Sequence, residues 1–268
     1  MGLNIAVCIK PVPDPEHYDK VTIDPVTKRI TRDGIPTIIN PVDKSAIELA
    51  LKYKGAYGGK VTVLTMSLPS AETNLREALA MGADEAILLT DRAFGGADTL
   101  ATSYVLAEAI KKMGDVDMIL AGAESADGAT AQVSSQIGEW LSMPHLWNVF
   151  SAESKDERNY ILKTKYENGY IEYEAELPFV LGVSREIAKP RFVGAMGIIK
   201  AKSKPIHIWG KAELEGIEEK YLGLSGSPTQ AGKVKTPNLK RNGEIIEGTV
   251  EEIAAQMIEK IRAGGIIV

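Results

Sequence analysis

Four short apolar runs recur along the first half of the chain, and stretches with helical spacing separate them. The runs cover residues 3–9, 61–66, 85–90 and 118–122. Continuous runs of this kind are typical of strands buried on both faces of a parallel sheet. The helical stretches cover residues 43–54, 70–81, 98–113 and 129–141. This alternation predicts an α/β fold with a doubly wound sheet.

Two regions interrupt the alternation. Residues 11–40 join the first strand to its helix and hold five prolines, with strand-like pieces at 20–23 and 29–31. A connection of this length is usually functional or disordered, and the alternating pieces favour an ordered excursion or hairpin. Residues 158–184 contain Asn168-Gly169 between two alternating segments, which is a strong β-hairpin signal, and then an apolar run at 179–183.

The C-terminal part has a different texture. Residues 222–248 are rich in Gly, Ser, Pro, Thr and Lys, which predicts an extended arm. Thr249 and Glu252 then form a capping-box pattern, and Gly264 supplies a stop. The helix between them carries an apolar stripe formed by Val250, Ile253, Met257 and Ile261. We expect this stripe to dock on another chain, with packing on its own domain as the alternative, and we expect domains at 1–221 and 222–268.

Composition excludes several classes of protein. The formal net charge is −5, which argues against nucleic acid as a partner. The single cysteine, Cys8, can form neither a disulfide within the chain nor a multi-cysteine metal site, and it fits a reducing, cytoplasmic compartment. No apolar run reaches the length of a membrane span. The common dinucleotide, P-loop, zinc-protease and serine-hydrolase motifs are absent, so we expect no catalytic residue and no metal.

Residues 122–133 are the most informative stretch, because they connect the fourth strand to a helix. Ligands of open α/β sheets bind at such strand ends, and N–H groups at a helix N-terminus attract phosphate oxygens. The stretch predicts a phosphate or nucleotide site, and a plain loop with Asp127 as helix cap remains the alternative. Its candidate residues are Gly122, Ala123, Glu124, Ser125, Asp127, Gly128, Ala129, Thr130, Ala131, Gln132 and Val133.

Two further loops should reach the same edge of the sheet. Asn40, Pro41, Val42 and Asp43 enter the first helix, and Asp98 and Thr99 enter the third. Helix capping by Asp43 is the alternative for the first loop, and a Gly turn with a helix cap is the stronger interpretation of the second. The convergence of all three loops on one edge favours a shared cofactor.

Six short motifs together resemble one known family. They are Val-Cys-Ile-Lys-Pro-Val-Pro-Asp (7–14), Asn-Pro-Val-Asp (40–43), Ala-Leu-Ala-Met-Gly-Ala-Asp (78–84), Asp-Gly-Ala-Thr-Ala-Gln (127–132), Lys-Pro-Arg-Phe (189–192) and Ser-Pro-Thr-Gln (227–230). With these motifs in this order, the chain resembles the β subunit of electron transfer flavoproteins over nearly its whole length. The resemblance implies a Rossmann-like, adenine nucleotide alpha hydrolase-like domain with a C-terminal arm and helix.

The resemblance also implies partners. An α subunit would hold an electron-transferring FAD in a mobile domain, and the arm and last helix of this chain would embrace it. Residues 190–200 are similar to the recognition loop that docks a flavin dehydrogenase, of the acyl-CoA dehydrogenase-like or the 2-hydroxy acid type. Ala195 and Met196 occupy its anchoring region.

Two branches of the family differ in the cofactor of the β subunit. One branch holds structural AMP; in the other a second FAD takes a hydride from NADH and divides the electrons between the α-subunit FAD and ferredoxin or flavodoxin. Residues 40–43 and 91–102 resemble the bifurcating branch, since the AMP branch tends to have Cys at the position of Asp43. The resemblance places Cys8, Val12, Pro13, Thr65 and Met66 in the same cofactor site.

One departure from the family pattern concerns residues 122–124. The family often has a basic residue and Gln where this chain has Ala123 and Glu124. The resemblance then implies that backbone N–H groups hold the phosphates, or that the partner differs. A subunit holding only AMP, and a stand-alone nucleotide-binding module, remain as alternative interpretations.

Overall fold

The computed structural model describes residues 2–20, 22–23, 30–31, 34–229 and 243–265. The chain divides into two compact units, Met1–Gly232 and Lys233–Val268. The described strands are β1 (Leu3–Cys8), β2 (Pro11–Pro13), β3 (Thr22–Ile23), β4 (Ile30–Thr31), β5 (Thr37–Ile39), β6 (Gly59–Met66), β7 (Glu85–Leu89), β8 (Met118–Gly122), β9 (His145–Ser154), β10 (Asn159–Tyr166), β11 (Gly169–Glu176), β12 (Phe179–Val183) and β13 (Ile206–Trp209). The described α-helices are α1 (Pro41–Tyr57), α2 (Glu72–Met81), α3 (Thr99–Met113), α4 (Val133–Leu141), α5 (Ala195–Ala201) and α6 (Val250–Ala263).

Nine strands form one sheet in the order β11-β10-β9-β12-β8-β1-β6-β7-β13. The strands from β9 to β13 in this order pair in parallel, and β10 and β11 add an antiparallel edge. The chain leaves β1 towards β6 and β7 and then returns to β8 on the other side of β1. The strand order therefore reverses between β1 and β8, the position where open α/β sheets bind ligands.

The core lies on both faces of this sheet, as continuous apolar strands require. Alternate residues of β1 point to opposite faces: Leu3, Ile5 and Val7 belong to the core layer of α1 and α2. Ala6 and Cys8 belong to the layer of α3 and α4. This two-sided burial confirms the doubly wound α/β fold.

The four predicted strands are confirmed as β1, β6, β7 and β8, and the first three predicted helices as α1, α2 and α3. The Asn168-Gly169 hairpin is confirmed, with Tyr166 opposite Gly169, and the run at 179–183 is β12. The helix expected over 129–141 begins only at Val133. Ala129 and Ala131 have φ values of 45° and 56°, which a right-handed helix cannot include.

The excursion after β1 contains two short antiparallel pairs. β2 pairs with β5, with Val12 opposite Ile38, and β3 pairs with β4. The expected strand-like pieces are confirmed at 22–23 and 30–31. Lys20 instead ends a 3-10 helix, Pro15–Lys20, and Arg29 lies outside the described residues.

The last helix, α6, begins as the sequence predicts. The Thr249 Oγ1 accepts the Glu252 N–H, and the Glu252 Oε2 accepts the Thr249 N–H at 2.9 Å. Val250 and Met257 of its apolar stripe are exposed. Within the described parts of the chain, no helix is both long and apolar enough to cross a membrane. The domain boundary at 221/222 and the docking of α6 on another chain stay predictions.

Candidate functional site

The Asp43 carboxylate joins the carboxyl ends of β1 and β8, where the strand order reverses. Its Oδ2 accepts the Lys10 N–H at 2.7 Å, and its Oδ1 accepts the Gly122 N–H at 3.0 Å. Asn40 Nδ2 donates a third hydrogen bond to Oδ1 at 3.0 Å. Burial raises the pKa of Asp43 to about 7, although these hydrogen bonds and the Lys10 charge act in the opposite direction. Asp43 therefore links the end of β1, the start of α1 and the end of β8 by hydrogen bonds within the protein.

Asn40 ties the start of α1 to the loop that follows β8. Its Nδ2 also donates to the Glu124 carbonyl at 2.9 Å, and its Oδ1 accepts the Ala126 N–H at 3.2 Å. Gly122 lies against this network, since a Cβ built there would stand 2.2 Å from Asp43 Oδ1. Only glycine fits at position 122 in this geometry. Pro41 and Val42, in the first turn of α1, are partly buried.

Lys10 is a site residue that the sequence analysis missed. Its Nζ donates to Ser125 Oγ at 3.1 Å and forms an ion pair with Asp127 Oδ1 at 2.5 Å. The Asp127 side chain is only 7% exposed in this pair. The available signal was the position of Lys10 directly after β1, inside the first family-like motif. Asp127 is thus a partner of Lys10, and the alternative in which it caps α4 is wrong.

The loop from Ala123 to Gln132 has strained and exposed backbone. Ala129 and Ala131 are left-handed, which costs roughly 1–2 kcal/mol for each non-glycine residue. Such strain clusters at functional sites. Residues 128–130 are exposed, whereas Ala123 is buried and its N–H donates to Val183 O at 2.8 Å. The loop therefore presents its second half to solvent.

The N-terminus of α4 has no side-chain cap. Gln132 stands at the cap position, but its Oε1 accepts a hydrogen bond from Thr99 Oγ1 at 2.8 Å. The first N–H groups of a helix have no partner within the helix. The N–H groups that begin at Val133 are therefore positioned to bind an anion.

The loop before α3 reaches this edge through Thr99. Asp98 Oδ1 caps α3 by accepting the Leu100 and Ala101 N–H groups, and Oδ2 accepts the Thr229 N–H. Partial burial acts to raise the pKa of Asp98, but these N–H donors outweigh it and hold the pKa below its usual range. Both oxygens of the Asp98 carboxylate thus accept hydrogen bonds from protein N–H groups, as expected if Asp98 caps α3.

The remaining predicted contacts lie at neighbouring strand ends. Burial, and to a lesser degree the charge of Asp43, raises the pKa of the Cys8 thiol well above its usual range, so Cys8 stays neutral. Thr65 Oγ1 is buried and has no hydrogen-bond partner among the described residues, and Met66 beside it is partly buried. Val12 and Pro13 are buried in β2.

Ala195 and Met196 begin α5 and belong to a second surface. Met196 is 64% exposed and Phe192, just before the helix, is 95% exposed. Arg191 fixes this segment to α1 through three contacts with Glu48, from its backbone N–H, Nε and Nη2 at 3.1, 2.8 and 3.0 Å. The structure thus separates these residues from the loop 122–133 and presents them as an apolar surface.

A cleft of about 300 Å³ lies at the opposite, amino-terminal edge of the sheet. Two of its lysines already have partners: Lys60 Nζ lies 2.7 Å from Glu85 Oε1, and Lys112 stands over the Trp209 ring. The predicted site residues lie at the other edge, so we do not assign the nucleotide to this cleft.

The chain belongs to the electron transfer flavoprotein family, as a member of its β subunits. The electron transfer flavoprotein domain matches residues 27–214. The electron transfer flavoprotein subunit beta of Clostridium acetobutylicum is 44% identical over 97% of this chain and 98% of its own length. The caffeyl-CoA reductase-Etf complex subunit CarD of Acetobacterium woodii is 44% identical over 99% and 100%. Protein FixA of Azorhizobium caulinodans is 39% identical over 89% and 86%. The chain is therefore a subunit of an electron-transport flavoprotein.

Proposed function

We propose that this chain is the β subunit of a cytoplasmic heterodimer and holds FAD at the carboxyl edge between β1 and β8. The observation that carries the proposal is the loop 122–133, where left-handed backbone and the uncapped start of α4 lie beside Gly122. When bound, FAD would supply the chemistry that links NADH to the α-subunit FAD and to ferredoxin or flavodoxin. The chain would not be active alone.

The residues present fit a phosphate-bearing flavin. Backbone N–H groups near Thr130 and Val133 would hold the diphosphate, which agrees with the absence of a basic residue at 123 and 124. The missing side chain at Gly122 lets the Asp43 carboxylate and the Asn40 amide approach the backbone where the loop begins. Asn40, Asp43 and Lys10 would keep the loop in the conformation that exposes these N–H groups.

FAD is favoured over AMP by the residues around the site. Asp43 stands where the AMP branch tends to have Cys, and the β2–β5 pair with Val12 and Pro13 belongs to an excursion that resembles the bifurcating form. Two relatives bear names that support a role in reduction of an acyl-CoA substrate, the CarD subunit and the acryloyl-CoA reductase electron transfer subunit gamma of Anaerotignum propionicum. AMP remains the second candidate, because the same N–H groups would hold one phosphate.

The exposed surface at α5 supports a role in docking. Phe192 and Met196 would be apolar anchors for a flavin dehydrogenase, of the acyl-CoA dehydrogenase-like or the 2-hydroxy acid type. The arm from 222 onwards and α6 would contact the α subunit.

The test is a count of cofactors in the co-expressed heterodimer. We expect two FAD and no AMP per heterodimer, and we expect anaerobic NADH to bleach the flavin absorbance. One FAD and one AMP, with no bleaching by NADH, would show that the subunit belongs to the AMP branch.

A further inference from the structure

Asp43 is a buried carboxylate whose hydrogen-bond donors are all neutral. They are two backbone N–H groups, from Lys10 and Gly122, and the amide of Asn40. Among the described residues, no ammonium or guanidinium group is hydrogen-bonded to it. A buried charge with neutral partners is sensitive to any further charge that arrives nearby, because little solvent screens it.

The other ionisable side chains on the elements around Asp43 are neutral, exposed to solvent or already paired. The Cys8 thiol on β1 is neutral, Glu124 of the loop is exposed, and the Lys10 ammonium binds Asp127. The flanking charges of α1 point to other partners, in the ion pairs Lys44–Glu77 and Glu48–Arg191. Asp43 is therefore the group in this network that is placed to change its protonation when an anion binds.

We infer that Asp43 is a proton-linked positioning residue, which takes up a proton when a phosphate-bearing nucleotide binds to the loop 122–133. The inference rests on the proposed function, since it requires the anion at this edge. Asp43 accepts the N–H of Gly122, the first residue of the loop, and shares Asn40 with Glu124. A protonated carboxyl keeps lone pairs for these donors, so the loop stays anchored while the like charge is removed.

The direction of the linkage follows from the pKa of Asp43, which burial raises to about 7. A bound anion disfavours the carboxylate and raises this pKa further. A tenfold rise in the proton affinity of Asp43 means uptake of about half a proton per nucleotide at about pH 7.5. By reciprocity, the affinity for FAD should fall about tenfold as the pH rises from about 6 to about 9.

Calorimetry of the heterodimer tests this linkage, with the β site emptied and the α-subunit FAD in place. FAD is titrated in two buffers of different ionisation enthalpy, so that the difference between the two heats gives the proton uptake. FAD is used instead of AMP because its diphosphate lacks the titration near pH 6 of a phosphate monoester. We expect uptake of about half a proton for FAD and none for uncharged adenosine. Asp43→Asn should abolish the uptake. Asp84→Asn is the control: Asp84 also accepts a strand N–H, from Val61, and pairs with Lys54.

FAD binding without proton uptake, or uptake that persists in Asp43→Asn, would overturn the inference. If Asp43→Asn does not fold, infrared difference spectra of the wild-type heterodimer decide instead. A protonated-carboxyl band should appear when FAD binds, and its absence would overturn the inference. Failure of the emptied site to bind any nucleotide would overturn the proposed function, which is a different result.

Discussion

Among the residues of the candidate site, Gly122 has the least space for a side chain. A Cβ would stand 2.2 Å from Asp43 Oδ1 and 3.2 Å from Asn40 Nδ2, so Gly122→Ala must displace the network that anchors the loop. We expect the variant to lose about 1–3 kcal/mol of unfolding free energy in denaturant titrations. We expect its affinity for FAD in the β site to fall at least tenfold.

Gly55→Ala is the matched control, because a Cβ at Gly55 in α1 meets open space. It should keep the wild-type FAD affinity and gain up to about 1 kcal/mol from helix propensity. Wild-type affinity in Gly122→Ala would show that the network does not shape the site.

Single residues also show what the sequence can and cannot predict. Asn40 and Asp43 could be placed at the strand edge because they precede a helix that follows a buried strand. Lys10 could not be assigned, because its partner Asp127 is 117 positions away and reaches it only when β1 and β8 lie side by side. The family resemblance implies that Asp43 is a cofactor residue, and the structure adds three protein donors to its carboxylate, the Lys10 and Gly122 N–H groups and the Asn40 amide.

At the scale of elements, α5 is held firmly although its apolar face is exposed. Arg191 binds Glu48 of α1, and Gly197 lets α5 approach α2 so closely that a Cβ would stand 2.5 Å from Ala80 O. Arg76 Nη1 of α2 donates to the carbonyl that ends α5, Ala201 O, at 2.9 Å. The segment 192–201, which we propose as a docking surface, is therefore tied to both α1 and α2.

Removing the anchor should loosen this segment. Arg191→Met leaves the Glu48 carboxylate without its guanidinium partner, at a cost of about 1–3 kcal/mol. We expect faster hydrogen–deuterium exchange of amides 194–201, with the cofactor content unchanged. Lys155→Met, which breaks the exposed pair with Glu174, should leave the exchange of these amides unaltered. Equal exchange in Arg191→Met and wild type would mean that packing on α2 alone holds the segment.

Elements buried on two faces could be predicted from the sequence, as could the hairpin marked by Asn168-Gly169, but some other elements could not. The apolar runs of β1, β6, β7 and β8 have no polar alternation, so their assignment was secure. The start of α4 was misplaced because Ala129 and Ala131 have left-handed φ values, which the spacing of apolar residues does not encode. β9 and α5 were missed since their side chains are mostly half-buried or exposed and show no clear period.

At the scale of the whole molecule, the sheet has two edges that could hold a ligand. The carboxyl edge combines the reversal of strand order, the Asp43 network and the uncapped α4. The amino edge has a concave cleft of about 300 Å³, but its carboxylate Glu85 is already paired with Lys60. Strand order cannot be read from one sequence, but the rule that ligands bind at carboxyl ends predicts the edge without it.

Hydrogen–deuterium exchange of the heterodimer, with and without FAD in the β site, tests this assignment most directly. FAD should slow the exchange of amides in the loop 122–133 and at Lys10, while residues 115–116 and 206–209 at the amino edge keep their rates. Slower exchange at the amino edge, with the loop 122–133 unaffected, would contradict the account.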